Sequence, residues 1–470
     1  MMAPKDFREF LSLLENQKEL LVVSEEVRPE PDIGAMGRAA CDMEMNGGGP
    51  AVLCRSVSGY ETPLAFCLHA SNRRVALSLG LKKDIPVREL FQAFCERWDR
   101  YPVTPVVIKN APCKDVVKIG SQVNLAEFPI VRWNTSDGGP YICKGSVITR
   151  DPETGKLNVG LYRIQLKDRN LLGVPVIPAH DIGRQYQKAQ ELGQKELDVA
   201  IAIGNDPALS IASCSPLPPE WEEYSYAGAL KGEPLQLVKA ETVDLLVPAT
   251  SEIIIEGKIS VGELAIEGPF AEFPGYYSHT RLKPEIKVSA ITHRRNPIFE
   301  GLYIGIPWSE CDGLSQMTNS VSVFKEAKLL APELESFNLA SSWCLVGIAS
   351  MKKRYAGQDK KVMSAVLATP LASYGMKVLL IVDHDVDPFN LDQVFWALAT
   401  RLDASTGVTL IPNATMNPLD PVAPGKGYGT KIVLNLTEAK PPQAVPPLGI
   451  VKPPLETDRW REILEQRWKS

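Results

Sequence analysis

Hydrophobic positions recur at helical spacing near the start of this chain and at strand-like spacing further along it. Four apolar residues share one face of a predicted helix: Phe7, Phe10, Leu11 and Leu14. Their spacing predicts an amphipathic helix over residues 6–21. A second helix is predicted at 87–98, among short apolar runs that are typical of strands. We therefore expect residues 1–114 to form an N-terminal α/β domain.

The pattern then changes to short β-rich runs that are separated by turns. The runs lie at 146–149, 158–166, 199–203, 235–238 and 253–255. Short strands between turn residues predict an antiparallel sheet or barrel, here interrupted by a helix at 180–192. Residues 115–310 are expected to form this central domain.

Beyond about residue 320, helices and strands alternate again. A buried strand at 378–382 and a helix at 391–402 predict a βα unit of a parallel sheet. We expect a C-terminal α/β domain at 311–440, so the predicted fold class is mixed α/β. A proline-rich arm with a short charged helix follows at 441–470. Such a helix often contacts a neighbouring subunit, but it can equally cap its own domain.

Composition and charge narrow the class of protein. Hydrophobic content of 44% and charged content of 23% are typical of globular proteins. The formal net charge is -5 and there is no basic block, so nucleic acid is not expected as the main ligand. No apolar run approaches transmembrane length and no apolar signal region opens the chain. We therefore expect a soluble, cytoplasmic protein.

The nine cysteines support neither a zinc site nor a disulfide framework. Their number is odd, and no two of them have the Cys-x-x-Cys spacing. Most are expected to be buried, reduced and simply apolar.

One hexapeptide, Glu267-Gly-Pro-Phe-Ala-Glu272, places two carboxylates around a Gly-Pro pair after a strand-like run. Proline fixes φ and glycine tolerates positive φ, so a turn is predicted. In a straight strand, positions five apart point to opposite faces, whereas a bend can direct both carboxylates into one cavity. Like charge and burial would then make them an acid/base pair. Taken alone, a solvated acidic turn is the commoner interpretation.

Other motifs fail on their spacing. The segment that begins at Asp383 starts like an EF-hand, but Pro388 and Val394 stand where its Gly and Glu belong. Its simpler role is to cap the next helix. The segment Gly425-Lys-Gly-Tyr-Gly-Thr-Lys431 is not a P-loop and by itself predicts a surface loop. No dinucleotide-binding, nucleophile-elbow or zinc-protease motif occurs.

Several weak motifs follow one another in a distinctive order. They are Asp6-Phe-Arg-Glu-Phe-Leu11, Asn158-Val-Gly-Leu-Tyr-Arg163, His180, Ser213-Cys-Ser-Pro-Leu-Pro218 with Glu223, Val247-Pro-Ala-Thr-Ser-Glu252, the hexapeptide, Pro307-Trp-Ser-Glu-Cys-Asp312 and Asp385-Val-Asp-Pro-Phe-Asn390. Together they resemble the UbiD-like decarboxylases, which use prenylated flavin mononucleotide (prenylated FMN). The resemblance spans nearly the whole chain and is closest to the hydroxyarylic acid decarboxylase branch. It implies that the central domain is a flavin-binding split β-barrel.

The resemblance also implies a metal and cofactor site. Manganese, the usual metal of the family, would be bound by Asn158, His180 and Glu223. Potassium would bind backbone oxygens of Ala212, Ser213 and Ser215. The flavin would contact these manganese ligands and a further set of residues: Gly160, Leu161, Tyr162, Arg163, Ser213, Cys214, Ser215 and Pro216. Lys431 would be a phosphate partner, which gives the glycine-rich segment a second interpretation.

The catalytic network of the family would fall on Arg163, Glu267 and Glu272. Arg163 would pair with Glu267 and hold the substrate carboxylate, and Glu272 would transfer the proton. The implied reaction is reversible, non-oxidative decarboxylation of an aromatic or heteroaromatic acid through a covalent substrate–cofactor adduct, CO2 loss and protonation by Glu272. The implied partners are the acid, CO2 and a flavin prenyltransferase that supplies the cofactor. A homo-oligomer, dimer or hexamer, is expected, with neither nucleic acid nor a membrane.

Alternatives stay open at this point. The substrate is a phenolic, furan, pyrrole or fused-ring acid, or in a second reading a cinnamic-type acid. An ordinary FMN oxidoreductase is the rival from another class, because split barrels also bind FMN. Ala179, Cys143 and Cys214 depart from residues that relatives often carry. His279 and Arg281 either contact a second anionic group of the substrate or lie at the surface.

Overall fold

The computed structural model of the chain describes residues 2–341, 345–422, 427–438, 454 and 456–468. The helices are α1 (Phe7–Asn16), α2 (Asp32–Met45), α3 (Asn72–Ser78), α4 (Val87–Trp98), α5 (Asp181–Glu191), α6 (Pro207–Ala212), α7 (Glu223–Lys231), α8 (Glu310–Leu330), α9 (Gln358–Leu367), α10 (Pro370–Gly375), α11 (Leu391–Arg401) and α12 (Thr457–Trp468). The fold class is mixed α/β, as the sequence predicts.

The strands of the first half are β1 (Leu20–Val27), β2 (Ala51–Val57), β3 (Leu64–Phe66), β4 (Val106–Val107), β5 (Val116–Ile119), β6 (Tyr141–Ile142), β7 (Ser146–Arg150), β8 (Leu157–Leu161), β9 (Ile164–Asp168), β10 (Leu171–Gly173) and β11 (Glu196–Ile203). Those of the second half are β12 (Gln236–Lys239), β13 (Leu246–Pro248), β14 (Ile253–Glu267), β15 (Arg281–His293), β16 (Phe299–Glu300), β17 (Leu334–Ser341), β18 (Val346–Met351), β19 (Val378–Asp383), β20 (Val408–Thr415) and β21 (Tyr428–Leu436). They form four sheets.

The N-terminal sheet has the order β1-β2-β3-β16, and α1 packs on it. Asp6 caps α1, because its side chain accepts a hydrogen bond from the backbone N–H of Glu9 at 2.9 Å. All four predicted apolar residues of α1 are buried. The helix ends at Asn16, earlier than predicted, and the chain then reverses at Lys18, whose φ is +58°. The helix predicted at 87–98 coincides with α4.

The central sheet runs in the order β6-β9-β10-β15-β14-β11-β7-β8, with β5 beside β15, and all its pairings are antiparallel. The single run predicted at 158–166 is two strands, because the chain turns at Tyr162 and Arg163. β8 ends the sheet and β9 is the second strand from its opposite end, yet only these two residues connect them. The sheet must therefore curl until its ends meet, which places Arg163 at the opening of an incomplete barrel.

The C-terminal sheet has the order β17-β18-β19-β21-β20. Its three central strands are parallel and its two edge strands are antiparallel to their neighbours. β19 and α11 confirm the predicted βα unit, and Asn390 caps α11 by accepting from the backbone N–H of Gln393. The surface-loop prediction for 425–431 is wrong at its end, since Tyr428 and Lys431 lie in β21, a strand held on both sides.

The closing helix predicted from the sequence is α12, in which Trp460 and Leu464 are mostly exposed. The proline-rich arm at 441–453 lies outside the described residues, so its contact with a neighbouring subunit stays a prediction. Among the helices that the structure describes, none combines the length and the apolar character needed to cross a lipid bilayer.

Candidate active site

Arg163 and Glu267 form a buried, two-point ion pair at the opening of the central sheet. The Nε and Nη2 atoms of Arg163 donate to Oε1 and Oε2 of Glu267 at 3.0 and 2.8 Å. This fork geometry is the strongest form of an arginine–carboxylate contact. Glu267 is only 1% exposed, so each charge has lost much of its hydration and depends on the other. The structure thus brings the first two predicted catalytic residues together.

Glu272 meets the same guanidinium from another side, because its Oε1 forms an ion pair with Nη1 of Arg163. The chain reverses directly after β14 at Gly268, whose φ of +89° favours glycine. The bend therefore directs two carboxylates five residues apart onto one arginine, as its sequence suggested. Glu272 is 9% exposed, so it lies at the edge of the buried group, where a substrate can reach it.

Two aromatic residues complete the surroundings of Arg163. Its guanidinium lies 5.1 Å from the ring centre of Phe270, a cation–π distance, and this ring lies 4.6 Å from that of Tyr141. The Tyr141 hydroxyl donates to Oε1 of Glu267 at 3.3 Å. Burial, followed by the charge of Glu267, raises the pKa of Tyr141. The sequence analysis missed Tyr141, because a lone tyrosine carries no motif.

The three predicted manganese ligands come from three elements beside the Arg163 turn. Asn158 belongs to β8, His180 caps α5, and Glu223 opens α7. The Oε2 of Glu223 accepts from the backbone N–H of Val159 at 3.0 Å. Burial raises the pKa of Glu223 to about 8. A buried carboxylate that holds its proton so strongly suits a bound cation, which would stabilise its charged form.

His180 is equally suited to a metal. Its Nδ1 atom is buried and has no hydrogen-bond partner among the described residues, and burial lowers the pKa of its ring. A neutral imidazole with an open nitrogen is the form that binds metals. The ring lies 6.0 Å from that of Tyr162 and 6.1 Å from that of Tyr374. Tyr374 belongs to α10, so the C-terminal sheet domain reaches this site, which no sequence motif indicated.

Asn158 and Gly160 together place Tyr162. The Asn158 side chain forms a hydrogen bond with Tyr162, and its Nδ2 lies 3.4 Å from Oγ1 of Thr149. The tyrosine ring folds back over Gly160, where a Cβ atom would lie 2.5 Å from the ring. Only glycine permits this close approach. Tyr162 thus lies among the predicted manganese ligands.

The predicted potassium ligands lie at the C-terminal end of α6. The carbonyl of Ala212 accepts from the backbone N–H of Ser215 at 3.0 Å, and that of Ser213 accepts from Leu161 at 2.9 Å. Carbonyl oxygens at a helix C-terminus carry partial negative charge and retain a second lone pair. Their donor type therefore fits a monovalent cation. The Ser213–Leu161 contact also joins α6 to the end of β8.

The following residues of this segment are anchored to α8. The hydroxyl of Ser215 pairs with that of Thr318, and the hydroxyl of Ser322 donates to the carbonyl of Pro216 at 2.5 Å. Burial raises the pKa of Cys214 to about 12, so this thiol is inert rather than nucleophilic. Cys143, the other departure noted in the sequence, is also buried, with its pKa raised.

Lys431 lies in β21 and is 4% exposed. Its Nζ donates to the carbonyl of Ala372 at 3.1 Å and to that of Met376, at the end of α10. It therefore holds the helix that carries Tyr374. A contact with the cofactor phosphate stays a prediction. His279 and Arg281 are both exposed, and Arg281 lies opposite Glu267 in the ladder of β14 and β15.

Family models match almost the entire chain. Three domains of 3-octaprenyl-4-hydroxybenzoate carboxy-lyase align in order: the N-terminal domain with residues 11–94, the Rift-related domain with 105–307 and the C-terminal domain with 314–436. The chain belongs to the UbiD family. It is a carboxy-lyase by this membership, and the resemblance noted in the sequence is confirmed.

Similar proteins agree with this assignment. A phenolic acid decarboxylase of Sedimentibacter hydroxybenzoicus is 43% identical over 99% of this chain and 98% of its own. A phenolic acid decarboxylase of Bacillus subtilis is 40% identical over 98% of this chain and 99% of its own. The closed form of the S. hydroxybenzoicus vanillic acid decarboxylase has a TM-score of 0.92 at 42% identity and covers all of both chains. The UbiD-class enzyme HmfF of Pelotomaculum thermopropionicum, in complex with FMN, has a TM-score of 0.83 at 30% sequence identity. The match covers 97% of this chain and 98% of that chain.

Proposed function

We propose that this chain decarboxylates aromatic or heteroaromatic acids, phenolic acids first among them, with prenylated FMN as its cofactor and without net oxidation. The observation that carries the proposal is the single arginine held by two carboxylates, Glu267 at its back and Glu272 at its open side. The relatives named above as decarboxylases of phenolic and vanillic acids support the substrate class. An evolved form of HmfF has been solved with prenylated FMN, which supports the cofactor.

Each side chain has a separate role in this proposal. The fork with Glu267 fixes the plane of Arg163. The Nη1 side of the guanidinium, which pairs with Glu272 in this structure, would also bind the carboxylate of the acid. Prenylated FMN, when bound, would supply a centre that accepts the electron pair released as CO2 leaves. Glu272 gives one proton to the carbon that has lost CO2 and recovers one from solvent. In the carboxylation direction, the same carboxylate removes that proton.

Manganese at Asn158, His180 and Glu223 would anchor the phosphate of the cofactor, and potassium would bind backbone oxygens of Ala212, Ser213 and Ser215. The buried, unpartnered nitrogen of His180 and the proton-holding Glu223 support the manganese site. These metals, the prenyltransferase as supplier of the cofactor, a homo-oligomer and a cytoplasmic location all belong to the proposal. The proposal also includes domain boundaries after residues 114, 310 and 440.

A panel assay tests the function. The chain is produced with and without a flavin prenyltransferase, and CO2 release is measured from hydroxybenzoic, furoic, pyrrole-2-carboxylic and cinnamic acids. We expect release from the hydroxybenzoic acids, only after co-production. Preference for cinnamic acid would move the protein to the other substrate class. Unmodified FMN that is reduced by a nicotinamide, with no CO2 from any acid, would replace the proposal with an oxidoreductase.

A further inference from the structure

The backbone N–H groups of the turn between Glu267 and Glu272 are all paired with acceptors. Each N–H group from 268 to 272, apart from proline, has an acceptor: Gly268 donates to Gln165 Oε1 at 3.3 Å, Phe270 to Ser278 Oγ at 3.1 Å, Ala271 to Asp137 Oδ1 at 2.8 Å and Glu272 to the Tyr276 carbonyl at 3.0 Å. Buried backbone donors need such partners, so these acceptors fix the path of the turn.

One of these acceptors is charged, and it comes from a different part of the chain. Asp137 lies in the segment 134–141, here called the clamp loop, and is 4% exposed. Its Oδ1 accepts from Ala271 and its Oδ2 accepts from the backbone N–H of Asn134 at 2.8 Å. Hydrogen bonds to a carboxylate are about twice as strong as neutral ones. The Ala271 contact is therefore the firmest tether next to Glu272.

A glycine in the clamp loop brings the two backbones into direct contact. The N–H of Gly138 donates to the carbonyl of Pro269 at 2.7 Å, and its own carbonyl accepts from Nε2 of Gln165 at 2.9 Å. A Cβ atom on Gly138 would lie 2.3 Å from the carbonyl oxygen of Gly268. No larger residue fits between the loop and the turn unless one of them moves.

The clamp loop is itself anchored on its other side. Asn134 Nδ2 donates to the carbonyl of Ile304 at 2.9 Å, and the Tyr303 hydroxyl lies 3.2 Å from Asn134 Oδ1. The loop therefore transmits the position of the 303–304 segment to the turn. Asp137 links the two contacts, because its Oδ1 accepts from Ala271 in the turn and its Oδ2 accepts from Asn134, which is bound to the 303–304 segment.

We propose that Asp137 is a positioning residue that fixes the backbone beside Glu272 and so sets where this carboxylate, paired with Arg163, meets the carbon that it protonates. This inference rests on the proposed function, since it assigns a role within the same reaction. Asp137 acts through the backbone of Ala271 and does not touch the substrate. Its loss is expected to leave the fold and the binding of the acid intact and to let Glu272 drift. A shift of about 1 Å in a catalytic group costs on the order of 100-fold in rate.

Asp137→Asn is the first test, because an amide matches the shape but presents an N–H group to one of the two N–H donors. With purified cofactor-loaded enzyme, we expect kcat to fall roughly 10- to 100-fold while KM changes less than about threefold. Glu256→Gln is the matched control: Glu256 is equally buried and accepts from the backbone N–H groups of Glu241 and Thr242, but it lies away from the turn. It is expected to lower the melting temperature without this loss of kcat.

Gly138→Ala is the second test, because it keeps the charge and displaces the turn by crowding. Both variants are expected to slow the exchange of hydrogen for deuterium at the reacting carbon when the decarboxylated product alone is incubated with the enzyme in D2O, which reports proton transfer without CO2 loss. Hydrogen exchange at 268–278 is expected to rise in Asp137→Asn, whether or not the enzyme is active. An unchanged kcat in both variants, or an equal loss in Glu256→Gln, would overturn the inference. A wild-type enzyme that releases no CO2 from any acid, with exchange at 268–278 still rising in Asp137→Asn, would instead defeat the proposed function.

Discussion

Arg163 presents every edge of its guanidinium to a neighbour at once. Glu267 binds one edge through two hydrogen bonds, Glu272 pairs with Nη1, and the ring of Phe270 lies against its face. A lysine offers a point charge and no fork, so this arrangement requires arginine. The two carboxylates differ in what surrounds them: Glu267 has Tyr141 as a further donor, and Glu272 is the more exposed. That difference assigns the fixed role to one and the reactive role to the other.

Glu272→Gln is expected to reduce kcat by at least about 100-fold, because an amide cannot exchange the proton. The protein should keep its melting temperature, since glutamine fills the same space. Glu263→Gln is the control: Glu263 lies in β14, the strand that precedes the turn, and its side chain is 79% exposed. The measurement is CO2 release under saturating acid. Full turnover by Glu272→Gln would remove this residue from the mechanism.

Substitutions of the groups that hold Glu267 should show a graded loss. Arg163→Lys is expected to lower kcat/KM by more than about 100-fold, because both the fork and the substrate contact disappear. Tyr141→Phe removes one hydrogen bond worth about 0.5–1.5 kcal/mol, so a loss of a few-fold is expected. The steady-state rates of both variants check this order. The reverse order would show that Tyr141 has a more direct role than holding Glu267.

At the scale of elements, the site lies where the ends of several helices and strands come together. β8, which carries Asn158, ends beside the C-terminus of α6, α5 begins directly after His180, and α7 begins at Glu223. None of the three elements holds more than one of the predicted manganese ligands. Short turns and helix ends leave side chains and backbone groups free of internal pairing, which is why functional groups gather there.

Removal of any one ligand is therefore expected to empty the metal site. Purified wild-type protein should contain roughly one manganese per chain, whereas Glu223→Gln and His180→Ala should contain little, because a divalent ion bound by so few protein groups depends on each of them. Asp181→Asn, next to His180 but at the surface, is the control and should retain the metal. Elemental analysis after dialysis measures this. Normal manganese in Glu223→Gln would place the ion elsewhere.

On the scale of the whole molecule, one buried ion cluster joins the N-terminal sheet, the central sheet and α8. The Nζ of Lys144, 1% exposed, lies 2.9 Å from Glu300, 2.5 Å from Glu310 and 2.9 Å from Nδ1 of His69. Glu310 also accepts from the backbone N–H groups of Cys67 and His69. Burial alone would raise the pKa of Glu310. Its contacts with Lys144 and His69 outweigh burial and lower this pKa to about 2.

Glu310→Gln should destabilise the protein by about 3–5 kcal/mol at neutral pH, because it leaves a buried ammonium short of a partner. The pKa of Glu310 is lower in the folded protein than its ordinary value of 4.5. Its stabilisation is therefore complete above about pH 4.5 and is lost as the pH falls towards 2. Melting temperatures between pH 3 and 7 should fall more steeply for wild type than for Glu310→Gln. Glu335→Gln, at an exposed position, should follow wild type.

The sequence by itself determined the secondary structure of those segments in which the apolar residues recur at one clear helical or strand-like spacing. Helices α1, α4 and α11 and the strand β19 lie close to their predicted positions, because each carries a clear apolar face or a fully apolar run. The run at 158–166 was predicted as a single strand, since nothing in its apolar pattern marks the turn at Arg163. For the start of β21 the sequence predicts a loop, because its glycines resemble turn residues and its neighbours in the sheet lie elsewhere in the sequence.

The sequence also predicts the family and a Gly-Pro bend that can direct Glu267 and Glu272 to one place, because the residues are close together and their order is distinctive. What only the tertiary structure decided is which distant groups support them. Asp137, Tyr141 and Tyr374 stand near the site through sheet curling and helix packing, over separations that no local pattern encodes. Local propensities and spacing act over a few residues, whereas the surroundings of a buried charge are set by the packing of the whole chain.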